Sequence, residues 1–199
     1  MRPPPLAALL TEVRACRRCA DVLPLGPRPV LQLHGDARIL IAGQAPGRKV
    51  HASGIPFDDA SGERLRGWLG LDRAAFYDER RVAILPMGLC YPGRASSGDL
   101  PPRPECAPAW RAALLAPLTR LRLTLVIGAY AMAWHLPPPG RSVTDAVAGW
   151  RQTWPAVVPL PHPSPRNQGW LRRNPWFEAE LLPALRQQVA AVLGAAASA

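Results

Sequence analysis

Four short runs along the chain are almost continuously apolar: residues 37–42, 82–85, 123–127 and 156–160. Runs this short, without alternation, suit strands that are covered on both faces, as in a parallel sheet. Between them lie helix-length segments at 61–69, 104–120 and 129–136. A last helix over about 175–193 spaces Phe177, Leu181, Leu182, Leu185 and Val189 along one face. Strands alternating with helices predict an α/β fold of three layers, αβα, around a central four-stranded parallel sheet. No repeat and no second unit is visible, so residues 1–199 read as a single domain with 195–199 as a frayed tail.

The strand ends run into Gly- and Pro-rich loops. Gly43-Gln44-Ala45-Pro46-Gly47 follows the first strand, Pro86-Met87-Gly88 the second and Pro161-His162-Pro163-Ser164-Pro165-Arg166-Asn167 the fourth. Ligands of open α/β sheets bind beyond the carboxyl ends of the strands. These three loops are therefore expected to converge on one crevice. The stretches 92–104 and 137–140 read as surface loops.

Composition sharpens the picture. Of 199 residues 48% are hydrophobic, enough to bury a core, and the formal net charge is +10. A basic excess of this size suits a polyanionic partner, although a chain whose only lysine is Lys49 owes part of it to an arginine-rich composition. No apolar run is long enough to span a bilayer. Residues 1–10 lack the charged start and cleavage site of a secretory signal, so a cytoplasmic location is expected.

In that compartment Cys16, Cys19, Cys90 and Cys106 are expected to be thiols or metal ligands, not disulfides. Cys16-Arg17-Arg18-Cys19 is a close pair, and two distant cysteines can complete a four-thiolate site. Spacing alone leaves zinc and iron both open, and four ordinary core cysteines are the bland alternative.

Taken together, the motifs resemble family 4 uracil-DNA glycosylases. Gly43-Gln44-Ala45-Pro46-Gly47 matches that family's Gly-Glu-Ala-Pro-Gly loop. Gly54-Ile55-Pro56-Phe57 followed by Gly62 matches its Gly-x-Pro-Phe segment, and His162-Pro163-Ser164 its His-Pro-Ser loop. Leu125-Val126-Ile127-Gly128 resembles its third strand and turn, and the four cysteines match in order and spacing. The likeness spans roughly residues 16–185. The longer loop through Asn167 also resembles that of the single-strand-selective branch. The resemblance implies a monomeric base-excision-repair enzyme acting on damaged DNA, with a [4Fe-4S] cluster on Cys16, Cys19, Cys90 and Cys106.

A glycosylase must aim a donor at the departing base, place a water and receive a flipped nucleotide. The resemblance makes His162 the donor and Phe57 the ring that stacks on the base. Gly43, Ala45, Pro46, Gly47 and Pro86 would complete the base pocket. Pro163, Ser164, Pro165, Arg166 and Asn167 would press on the DNA, with Arg48, Lys49, Arg172 and Arg173 as further phosphate contacts. Two departures stand out. Gln44 replaces the motif glutamate, and the aspartate that activates water in familiar uracil glycosylases is Ala45 here. Pro86 stands where family 4 has an asparagine that reads uracil. Gln44, Asp58 and Asp59 are the candidates for holding water, with a turn or helix cap as the alternative role of the two aspartates. Two other functions remain: a non-catalytic DNA-binding protein of the same fold, and a nucleotide enzyme using residues 43–47 as a phosphate loop. The latter lacks the lysine and hydroxyl of a P-loop.

Overall fold

The computed structural model describes residues 5–96, 98–136 and 142–194. The expected loop at 137–140 and the tail at 195–199 lie outside the described residues. Four parallel strands form the central sheet: β1 (Ile39–Ala42), β2 (Val82–Ile84), β5 (Leu123–Ile127) and β6 (Val157–Leu160), in the order β2-β1-β5-β6. All four expected apolar runs are strands: 123–127 is matched end to end, and the other three are trimmed by a residue or two. Ile39 stands beside both Val82 and Leu123, which aligns the carboxyl ends along one edge.

Successive side chains of β1 and β2 enter opposite cores. Ile39, Ile41, Val82 and Ile84 pack beneath α3 (Ala60–Leu69) and α9 (Leu182–Gly194). Leu40 and Ala83 pack on the other face against α1 (Leu6–Arg14) and α5 (Cys106–Leu115). The free edge of β2 is closed by Gln32, whose main chain exchanges two hydrogen bonds with Ile84 at 2.9 and 2.7 Å, a common way to blunt an edge.

Several expectations are corrected. The helix expected over 104–120 is only Cys106–Leu115, because Pro117 cannot continue the backbone ladder. The last helix opens with a π-helical stretch, Phe177–Leu181, before α9. Pro183 lacks an N–H to donate, and a widened turn accommodates it. The loop at 92–104 holds a small antiparallel hairpin, β3 (Arg94–Ala95) and β4 (Gly98–Asp99). Short helices also went unforeseen: α1 in the Pro-rich start, α2 (Arg48–Ser53), α4 (Arg73–Tyr77), α7 (Val143–Ala148) and α8 (Gln168–Arg173), while α6 (Ala129–His135) was expected. Most are too short to carry an apolar period; α4 and α7 are set by side-chain caps, Asp72 accepting from Ala75 N–H at 2.7 Å and Ser142 from Asp145 N–H at 3.1 Å. No helix among the described residues is long and apolar enough to cross a membrane.

Candidate active site and cysteine site

The loops after β1, β2 and β6 meet. Gly43, Gln44, Ala45, Pro46 and Gly47 line a broad crevice together with Pro86 and His162. The first two loops are zipped side by side: Met87 N–H donates to Gly43 O at 2.8 Å and Gly88 N–H to Gln44 O at 2.9 Å. Gly88 is also a close-approach position, since a β-carbon there would stand 2.8 Å from Pro102.

His162 sits half-buried where β6 ends. Its Nδ1 accepts the backbone N–H of Ser164 at 3.1 Å. The neutral ring must then carry its proton on Nε2, where it is a donor. Burial lowers the imidazole pKa, against the opposing charges of Asp59 and Asp99. The loop is rigid by local bonding: Asn167 Nδ2 donates to His162 O at 2.7 Å, Ser164 Oγ accepts from Arg166 N–H at 3.2 Å, and Arg64 donates to Ser164 O at 3.1 Å. Ser164, Pro165, Arg166 and Asn167 line the crevice, whereas Pro163 is buried behind them.

Phe57 lies on the wall, its ring edge-on to Phe76 at 6.3 Å and its tip 3.6 Å from where a β-carbon on Gly43 would stand. Its φ is 55°, left-handed for a residue with a side chain and costing about 1–2 kcal/mol. Such strain persists only where the surroundings fix it, and α3 does so by pressing Gly62 against the Phe57 backbone.

The candidate carboxylates separate. Asp58 pairs with Arg73 at 3.0 Å and does not line the crevice. Asp59 does line it, while one of its oxygens caps α3 by accepting from Gly62 N–H at 2.9 Å. Gln44 is turned to another task, donating from Nε2 to Leu100 O at 3.1 Å. That bond draws the exit of β4 toward the crevice, and β4 brings a residue the sequence reading missed. Asp99 lines the crevice, its Oδ2 3.4 Å from the β-carbon position on Gly47. Hidden in a Ser/Gly-rich stretch, it gave no signal beyond being an acid near a turn. Of the cations, Lys49 and Arg166 line the crevice; Arg48, Arg172 and Arg173 are exposed elsewhere.

On the other side of the Gly88–Leu89 segment, Cys16, Cys19, Cys90 and Cys106 border a single cavity. Cys16 follows α1, and Cys106 opens α5. Leu89 N–H donates to Cys106 Sγ at 3.3 Å. Burial pushes the Cys90 thiol up to about 11 and raises that of Cys106. Among the described residues no three His, Cys, Asp or Glu side chains converge closely enough to hold one metal ion.

An imidazole, an aromatic ring and two carboxylates thus line one strand-end crevice. The model of the uracil DNA glycosylase superfamily matches residues 32–186, well over half of the chain. The chain belongs to the uracil DNA glycosylase superfamily. The match takes in every crevice residue named above, along with Cys90 and Cys106. Cys16 and Cys19 precede it. Members of this superfamily are typically DNA glycosylases, which points to DNA and to base-excision chemistry in general terms.

Proposed function

We propose that this superfamily member is a monofunctional DNA glycosylase that hydrolyses the N-glycosidic bond of uracil or another deaminated base, and that it is similar to the iron–sulfur family 4 enzymes. The single observation that carries the reading is His162: a strand-end imidazole whose Nδ1 is occupied by Ser164, leaving Nε2–H to donate into the crevice.

In the reaction the C1′–N bond breaks with its electron pair going to the base, and the sugar becomes oxocarbenium-like. Nε2–H of His162 stabilises the developing negative charge on a base oxygen. Phe57 stacks on the extruded base. Asp99, and the oxygen of Asp59 not used for capping, face the cationic sugar. Asp99 holds the water whose oxygen bonds to C1′ and takes up its proton. This assignment replaces Gln44 and Asp58 as water-holding candidates, since Gln44 tethers β4 and Asp58 is tied to Arg73. Ser164, Pro165 and Arg166 form the edge that meets the DNA backbone.

Cys16, Cys19, Cys90 and Cys106 would hold a [4Fe-4S] cluster, which supplies a crosslink between the N-terminal segment and α5. The donor set fits: four thiols around one cavity and an N–H directed at one sulfur. The chain reads as one domain acting as a monomer.

The test is a cleavage assay on single- and double-stranded oligonucleotides carrying uracil, hypoxanthine or xanthine, run beside His162→Ala. Abasic product from at least one lesion, lost in the variant, is expected. Salt-sensitive DNA binding with no base release from any lesion would replace this reading with that of a non-catalytic binder.

A further inference from the structure

Arg111 is the one charged residue among the described residues with a buried side chain, 2% exposed. It projects from α5, the helix that Cys106 opens, toward the end of β2. Its Nη1 donates to Leu85 O at 3.1 Å and to Pro86 O at 3.3 Å, and its Nη2 meets His135 Nε2 at 2.6 Å. His135 is held neutral by burial and by Arg111 itself. No carboxylate of the described residues offsets the guanidinium, and its Nε has no partner. A buried, unpaired charge is costly, and an apolar side chain of that volume would pack there at less expense.

The position suggests what the cost sustains. Pro86 lines the crevice, yet its carbonyl oxygen is engaged by Arg111 on the buried side. Proline presents no N–H either. The Pro86 backbone therefore offers the base no donor, its carbonyl is already bonded to Arg111, and the charge behind it is positive.

We propose that Arg111 is a positioning residue for base release: it pins the Leu85 and Pro86 carbonyls away from the crevice and puts an uncompensated positive charge behind the wall where the departing base becomes an anion. With Asp59 and Asp99 on the sugar's side, the crevice is polarised along the bond that breaks. The inference rests on the glycosylase reading and adds a role that a purely structural arginine would not have.

The readout is leaving-group dependence. Single-turnover release of uracil is compared with release of 5-fluorouracil, whose anion is the more stable, from otherwise identical DNA. Arg111→Met is expected to slow uracil release by about tenfold or more and 5-fluorouracil release by less, so that the ratio between them changes by at least about threefold. Arg111→Lys, which keeps the charge, retains the wild-type ratio. Arg111→Gln, which keeps donors for the carbonyls without charge, should follow Arg111→Met and serves in its place should that variant not fold. Equal slowing of both bases in the neutral variants, or none, overturns the inference alone. A wild-type protein that releases neither base, and neither hypoxanthine nor xanthine, overturns the glycosylase reading and the inference with it; release of those purines alone overturns only the inference.

Discussion

The carbonyl oxygen of Phe57 lies 1.8 Å from the point where a β-carbon on Gly62 would stand. The two residues share one space, and this is what keeps Phe57 at a positive φ with its ring on the crevice wall. Gly62→Ala therefore forces the Phe57 turn to move. The expected cost is about 1–3 kcal/mol, seen as a lower denaturation midpoint with an unchanged m-value. Weaker binding of DNA carrying a flipped or abasic nucleotide should accompany it. Full stability in the alanine variant would show that the turn yields easily.

The same pair shows what the sequence made legible. The four strands were readable because near-continuous apolar runs have few uses outside a covered parallel sheet, and Ile39, Ile41 and Leu125 fulfil it. The meeting of residues 43–47, Pro86 and His162 followed from strand-end geometry. Asp99 was not readable, because it reaches the crevice through a two-residue strand pairing and a bond from Gln44, neither of which has a period. Arg111 was equally hidden: nothing local distinguishes a buried arginine from the exposed ones in an arginine-rich chain. Asp58 and Asp59 are adjacent, and only tertiary contacts show that one faces Arg73 and the other the crevice.

Two half-buried histidines set a pH response. Burial and the neighbouring Arg111 charge push His135 down to about 4, and burial lowers His162 as well. An unfolded histidine takes up its proton near about pH 6.5. Below that value the unfolded chain binds more protons than the folded one, so stability falls as pH drops from about 6.5 towards 4 and is unaffected by these groups above it. Urea midpoints at pH 7 and pH 5 check this. His135→Gln should shrink the difference between them; an unchanged difference would exclude His135 as a source.

Iron is expected in the protein purified without oxygen, at about four atoms per chain, with brown colour and little zinc. Cys106→Ser should lose the colour and lower the melting temperature, since it releases α5 from the N-terminal segment. Metal analysis separates the possibilities directly: one zinc and no visible absorption would return the site to a four-thiolate zinc centre.

Arg166 stands exposed at the crevice edge, its Nη1 3.7 Å from the β-carbon position on Gly98. It is held there by a loop that His162, Ser164 and Asn167 stiffen, so little ordering entropy is spent on docking. Arg166→Ala is expected to weaken DNA binding across sequences and to reduce the slope of log K against log salt by about one. Arg172→Ala, on the exposed side of α8, should leave the slope nearly unchanged by comparison. A slope that Arg166→Ala does not alter would move the phosphate contact to Lys49.

The division of labour among the acids gives the sharpest comparison. Asp99 is exposed, lies against Gly47 and bears no helix cap or ion pair among the described residues. Asp99→Asn should therefore leave stability within about 0.5 kcal/mol of wild type while lowering base release by about 100-fold or more, the scale of a lost general base. Asp58→Asn removes only an exposed ion pair with Arg73, worth about 1 kcal/mol or less, and should keep its activity. Asp59→Asn falls between them, because asparagine still caps α3 well but no longer offers a negative charge to the crevice. Rates and melting curves on the three variants, measured together, test the ranking. Activity that survives Asp99→Asn but not Asp59→Asn would move the water from β4 to the start of α3, and with it the source of negative charge facing the sugar.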